Sequence, residues 1–355
     1  MSEKAGVILV NYKDYVNKFL EECRDSLREQ SYENFNVYVV DNASSEDSRK
    51  YIRENYPEAT IVPREDGNYA AANNAGIKKA KEDGCHYFVI ANMDTRFDRD
   101  WLSELVAAMK ELDDAGFVQS KMLLYPRNEE EWSRPRINSL GNIMNYLGFG
   151  FTSAYRELDR EIQGYPEITG YASGCSFITS QEVIDRIGYY DEEYWMYHDD
   201  VEMGWRVKLA GYRIYLAPRS IVYHKYEFGR SMRMLYYMER NRYLAMFHYY
   251  TCPTILLLLP AIAVMEAGMF LYSIPGGWTG TKMRSASYFW RPSTWAKIIK
   301  KRKKIKSLRK RKEKDVIKHF EGKVLFQEVE NPVLKYIANP LFNAYWRIVK
   351  KVIQW

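Results

Sequence analysis

Three acids stand in positions where acids can do chemistry. Asn92-Met93-Asp94 follows directly on the apolar run Tyr87–Ala91, and Asp199-Asp200 follows the aromatic stretch Tyr194-Trp195-Met196-Tyr197-His198. A carboxylate just beyond a buried strand is placed to hold a divalent cation against a diphosphate, and hard oxygen ligands suit Mg²⁺ or Mn²⁺. An acid at a helix start can take a proton from a hydroxyl. Trp195 and Tyr197 can offer a flat rim for a sugar ring. Each feature also has an ordinary reading. Asn92-Met93-Asp94 could be an exposed turn, and the macrodipole favours Asp at any helix N-terminus.

Four further stretches lie where strands end or helices begin. The run Val7–Val10 leads into Asn11-Tyr12, and Val37–Val40 into Asp41-Asn42-Ala43-Ser44-Ser45. Asp41 could accept hydrogen bonds from a base edge or a ribose, or the whole segment could simply cap the next helix. Asn68-Tyr69-Ala70-Ala71-Ala72-Asn73-Asn74-Ala75-Gly76 opens a helix with small residues. A ligand could approach closely there and set a phosphate on the helix N-terminus. Packing of an Ala-rich helix on a sheet explains the same residues. Tyr223-His224-Lys225 ends another strand, where a lone His can be a ligand or merely structural.

These stretches need a frame. Val7–Val10, Val37–Val40 and Tyr87–Ala91 read as buried parallel strands, and Phe19, Leu20, Cys23 and Leu27 share one helical face between the first two. Helices are expected from near Ser45 and over Tyr69–Lys81. Alternation of this kind gives an α/β fold with a mostly parallel sheet and a ligand crevice beyond the strand C-termini. Residues 116–180 read as less regular, broken by Pro and Gly, before a strand at Ser176–Thr179 and a short helix at Val183–Ile187. A helix from Asp200 to Ala210 should end at Gly211, with strands at Arg213–Ala217 and Ser220–Tyr223. A domain boundary is expected near 230, giving domains 1–230 and 231–355.

The second domain differs in character. Cys252–Ile274 is apolar and long enough to cross a bilayer, yet Pro260 would kink it and a central Glu266 costs about 2.5–3.5 kcal/mol on insertion. A span, a re-entrant or interfacial helix and a core helix all remain open. Residues 297–312 hold eleven Lys or Arg and no acid, so the net charge of +6 conceals a mildly acidic remainder. That basic run adjoins the apolar segment and sits in no nucleic-acid-binding motif, so anionic membrane lipid is the expected partner and nucleic acid is not. Residues 333–355 form another basic, aromatic, amphipathic stretch. The four cysteines include no C-x-x-C pair, and no signal-peptide pattern is present. The expected location is the cytoplasmic face of the membrane.

Order is more informative than any single stretch. VILVNYKDY, FNVYVVDNASSEDS, DGNYAAANNAGIKKA, YFVIANMDT, the long run from GYASGC to YLAP, and SIVYHKY together resemble the family 2 glycosyltransferases over about residues 5–225. Within these the chain is most like the rhamnosyltransferase-like branch acting on lipid-linked glycans. The resemblance implies a GT-A fold and an inverting transfer from a nucleotide-diphosphate sugar to a hydroxyl. Carried over by position, Asn11, Tyr12, Asp41, Asn68, Asn73, Asn92 and Asp94 bind the nucleotide sugar. By the same correspondence Asp94 and His224 are expected to hold Mg²⁺ or Mn²⁺; Trp195 and Tyr197, read from their residue types alone, are expected to face the acceptor. Asp200 is the general base beside Asp199, with its pKa lowered by the helix N-terminus. Two departures stand out: Asn92 replaces the first acid of the family's D-x-D, and Asp199 replaces a Glu. A transferase acting on a polyprenyl phosphate and an inactive membrane scaffold are the rival readings; the Asp pair weighs against the first, and Asp94, Asp200 and His224 against the second.

Overall fold

The β-branched runs of the first hundred residues become the centre of one sheet. Its strands are β1 (Ala5–Tyr12), β2 (Phe35–Asn42), β3 (Thr60–Arg64), β4 (Tyr87–Ala91), β5 (Thr95–Phe97), β6 (Ala115–Leu124) and β7 (Ile137–Ser139). After the small pair β8 (Asn142–Met144) and β9 (Gly150–Thr152) come β10 (Ser176–Ser180) and β11 (Arg213–His224). The computed structural model describes residues 3–227, 234–325 and 331–355. Among these, the sheet order is β3-β2-β1-β4-β10-β6-β11-β5, with β7 alongside β6. β1, β2, β3, β4, β6 and β11 run one way, and β5, β7 and β10 run against them.

Helices cover both faces, as a sheet of buried parallel strands requires. They are α1 (Val16–Arg28), α2 (Glu46–Asn55), α3 (Tyr69–Glu82), α4 (Trp101–Glu111), α5 (Glu129–Ser133), α6 (Gln181–Ile187) and α7 (Asp199–Leu209). Val7 and Leu9 of β1 join Phe19, Leu20 and Cys23 of α1 and Trp101 and Leu105 of α4 in one core. Ile8, on the opposite face, meets α3 so closely that a Cβ on Gly76 would lie 2.5 Å from its Cγ2. The small residues of α3 therefore serve close packing on the sheet.

Two sequence expectations need correction. The region read as irregular holds the ten-residue β6, and the two strands foreseen at Arg213–Ala217 and Ser220–Tyr223 are one strand, irregular between Ala217 and Ile221. Gly211, at φ +104°, follows α7 where the C-cap was expected.

The chain divides into two compact units. The first comprises Met1–Asn142, Thr152–Val207 and Tyr212–Tyr226, and the second Ile143–Phe151, Lys208–Gly211 and Glu227–Trp355. The boundary expected near 230 lies outside the described residues. In the second unit are α8 (Leu235–Tyr249), α9 (Cys252–Ser273), α10 (Thr279–Ser287), α11 (Pro292–Leu308), α12 (Glu313–Ile317) and α13 (Asn339–Val352). Ile143–Phe151 belongs there because its neighbours are there. Asn145 donates to the Glu321 and Lys323 carbonyls, and the Tyr146 ring stacks on Trp346 at 4.8 Å.

Candidate active site

At the end of β4 the chain turns through Asn92-Met93-Asp94 into β5, which pairs antiparallel with the end of β11. That register sets Thr95 opposite His224 and brings Asp94 Oδ1 within 3.6 Å of His224 Nε2. The other ring nitrogen, Nδ1, lies 2.9 Å from Asn138 Oδ1, which orients the imidazole. Burial alone would favour neutral His224, but the neighbouring Cys175 and Asp94 outweigh it and raise its pKa to about 10. A divalent cation between the two would take the place of the imidazole proton. Donors around Mg²⁺ stand about 3 Å apart, since its bonds are about 2.0–2.1 Å, so a small adjustment fits one here. The two side chains would supply two of the six positions around an octahedral Mg²⁺. No group of three or more His, Cys, Asp or Glu able to hold a metal occurs among the described residues, so substrate oxygens and water would supply the rest.

Asp199 and Asp200 open α7 behind a strained approach. Trp195, Tyr197 and His198 all have positive φ, at 66°, 60° and 60°. Non-glycine residues rarely adopt this conformation, and such strain collects at functional sites. Asp199 is buried, and Asp200 is partly exposed. Both carboxyls have raised pKa values, the first cause being burial; the charge of Asp200 raises Asp199 further, while amides of Val201 and Gly174 partly stabilise ionised Asp200. The expectation that the helix N-terminus would lower the Asp200 pKa is overturned. A macrodipole is worth about 0.3–1 kcal/mol, whereas burial can move a carboxyl by up to about 3–5 pKa units.

The two halves meet at Gly174-Cys175, just before β10. The Gly174 amide donates to the Asp200 carboxylate, the Cys175 carbonyl accepts from Asn92 N at 2.9 Å, and the Cys175 sulfur contacts His224. Tyr69 closes the ring from α3. Its hydroxyl donates to Asn92 Oδ1 at 3.3 Å and lies in the field of Asp199 and Asp200. Sequence reading missed Gly174, Cys175, Asn138 and the Tyr69 hydroxyl. Only the small residues of the GYASGC segment hinted at the close approach.

The β1–β2 edge is more closed than expected. Asn11 pairs with Asp41 in register and donates to its Oδ1 at 2.9 Å, while Arg49 takes Oδ2 at 2.8 Å. Asp41 has no exposed surface, so it braces this edge and is not open to a base or ribose as it stands. Asn68 caps α3 through Ala71 N, and the Tyr69 and Ala70 amides both donate to the Trp195 carbonyl. The first-turn amides are thus satisfied, which corrects the expectation of a helix end free for phosphate. Asn73 is fully buried; its amide donates to the Tyr69 carbonyl, and its own Oδ1 has no partner. Trp195, expected at the acceptor rim, also neighbours Tyr12. Both rings would lie 3.3 Å from a Cβ on Gly67. Tyr197 stands beside the acid pair in sequence, partly exposed.

A family model described as glycosyl transferase family 2 matches residues 6–188. The N-acetylglucosaminyl-diphospho-decaprenol L-rhamnosyltransferase of Mycobacterium tuberculosis is 24% identical over 63% of this chain and 77% of its own. The poly-beta-1,6-N-acetyl-D-glucosamine synthase of Staphylococcus aureus is 23% identical over 57% of this chain, which spans 45% of that protein. Among solved structures, S. aureus TarS 1-349 aligns over 98% of this chain and 90% of its own, with 15% identity and a TM-score of 0.49.

Proposed function

The chain belongs to glycosyl transferase family 2 and is a glycosyltransferase with a GT-A-like α/β fold, and from that premise we propose that it moves a sugar from a nucleotide-diphosphate donor to a hydroxyl of a lipid-linked glycan, with inversion. The observation that carries this reading is the Gly174-Cys175 junction. One turn touches the acid pair through its amide and the Asn92–His224 side through its carbonyl and sulfur. An acceptor hydroxyl and a departing diphosphate need those two chemistries side by side.

Asp200 is the proposed base. It is partly exposed, and its raised pKa brings it closer to neutral pH, where a general base works best. It takes the hydroxyl proton as the oxygen attacks the anomeric carbon opposite the diphosphate. Asp199, deeper and harder to ionise, holds its neighbour in place. Asp94 and His224 would hold Mg²⁺ or Mn²⁺, which supplies positive charge for the leaving diphosphate. Asn92 can bond a ribose hydroxyl, and Tyr12 with Trp195 can flank the nucleoside or the sugar. The lipid-linked acceptor is supported by the name of the mycobacterial relative and places the reaction at a membrane surface.

Turnover and donor binding measured in parallel test the assignment. Asp200→Asn should lower turnover by roughly 10²–10⁴-fold with donor affinity nearly unchanged. Asp199→Asn should retain most turnover; the reverse result would move the base to Asp199. Chelator should abolish transfer and Mg²⁺ or Mn²⁺ restore it, and full activity in chelator would remove the cation from the reading.

A further inference from the structure

The second unit carries an apolar surface of its own. α9 is apolar along most of its 22 residues, yet only 22% of its most apolar stretch is buried. Thr254, Leu258, Ala261 and Met265 form its inner face at helical spacing. Leu256, Leu259, Val264, Phe270 and Leu271 are exposed, the two outermost leucines at 65% each. α13 repeats the arrangement. Phe342, Trp346, Val349 and Ile353 are buried, while Leu341, Ile348 and Val352 are exposed on an adjacent stripe. The two helices are joined by the Tyr345 hydroxyl, which donates to the Leu257 carbonyl.

Charge identifies what covers this surface. Residues 267–312 contain no Asp or Glu, and α13 contains none either. Trp290, Trp295 and Trp355, exposed in the same unit, are residues suited to a headgroup boundary. A cavity of about 710 Å³, lined by Lys303, Lys306, Lys310 and Lys312 among others, also takes in Thr251 at the start of α9. Apolar stripes bordered by cations, which far outnumber the cavity's single acid, Glu313, complement an anionic phospholipid leaflet.

Glu266 decides how deep the contact goes. It sits in the middle of α9, bonded by Arg242 of α8 at 2.7 Å and Lys282 of α10 at 2.6 Å. Both cations also bond Glu239, so two acids and two bases close a neutral network. A helix crossing the hydrocarbon would have to leave these partners or take them along, and unpaired charge there is strongly opposed. One side of α9 is therefore committed to its own unit. We propose that α9 lies in the plane of an anionic leaflet, its outer face and that of α13 inserted to headgroup depth, and does not span the bilayer. This deepens the membrane-surface reading above and uses none of its chemistry.

The test uses the full chain with Cys252→Ser and Val264→Cys. Cys23, Cys85 and Cys175 are buried, so a thiol-reactive fluorophore goes to position 264, in the middle of α9. The probe is read on vesicles of phosphatidylglycerol and phosphatidylcholine carrying a nitroxide either near the headgroup or at the chain end. In-plane docking predicts stronger quenching by the shallow nitroxide, with binding weakened by salt or by omitting phosphatidylglycerol. Stronger quenching by the deep nitroxide would establish a span and overturn the proposal. Quenching by neither would also overturn it, and a concentration-dependent dimer would then assign the surface to a second copy. Leu256→Glu with Leu271→Glu, both on the outside of α9, should cut vesicle binding at least about tenfold without changing the circular dichroism. Undiminished binding would sink the idea. No donor or acceptor sugar is present, so failure here leaves the transferase reading standing.

Discussion

Two adjacent carboxylates in a buried setting resist ionising together, and that shapes what Asp199 and Asp200 can do. Both pKa values are raised, Asp199 doubly so by burial and by its neighbour's charge. An unfolded Asp titrates near about 3.9. Between that value and the raised folded one, the folded state keeps a proton that the unfolded state has lost. Stability therefore falls as pH rises through the window and stays lower above it. Asn has the shape of the protonated acid without the proton to lose. Asp199→Asn should raise the melting temperature at neutral pH, with the gain vanishing below about pH 4; an equal gain at both pH values would dismiss the ionisation argument. With Asp200 as base, turnover should rise with pH through a value above the ordinary carboxylate range in both the wild type and this variant. The acid pair was legible as chemistry in the sequence. Its electrostatics were not, because a helix start is visible in a sequence and burial is not.

At the scale of elements, what could be read from the sequence depended on locality. β1, β2 and β4 are short β-branched runs and announce themselves. β6 does not, because Gln119, Ser120 and Lys121 interrupt it; they are tolerated inside because Ser120 bonds Trp101 and Ser176, and Lys121 meets Asp159. β3 contains Pro63, which an edge strand accepts and a central one would not. The junctions that assemble the site are long-range: β5 against β11, Gly174 against Asp200, Tyr69 against Asn92. Spacing in a sequence carries no sign of them. The strained approach at 195–198 was equally hidden, but its partner is testable. Gly67 sits at φ +75° between the Tyr12 and Trp195 rings. Gly67→Ala should cost roughly 1–2 kcal/mol of stability from the left-handed backbone, and displacement of both rings should weaken donor binding. Denaturant melts and donor titration would show it; a change in stability with unaltered donor affinity would remove those rings from the donor side.

Across the whole molecule, the second unit is discontinuous in sequence. Ile143–Phe151 is held by partners far along the chain: Tyr146 gives its hydroxyl to the Phe342 carbonyl, and Arg242 reaches the Leu147 carbonyl. Trp346 is the keystone, stacked on Tyr146 with its Nε1 donating to the Phe320 carbonyl. Trp346→Ala should destabilise this unit by about 3–5 kcal/mol, measured by following its unfolding in denaturant; a loss within experimental error would show that the stack is incidental. The same discontinuity has a consequence during synthesis. Tyr146 precedes Phe342 by 196 residues, and at ribosomal speeds of about 5–20 residues per second that is an interval of roughly 10–40 seconds. Throughout it Tyr146 and Leu147 belong to a core that does not yet exist. The nascent chain carries an exposed aromatic segment for that time, and the protein is expected to be a chaperone client while it is being made and to cease to be one when Trp346 arrives.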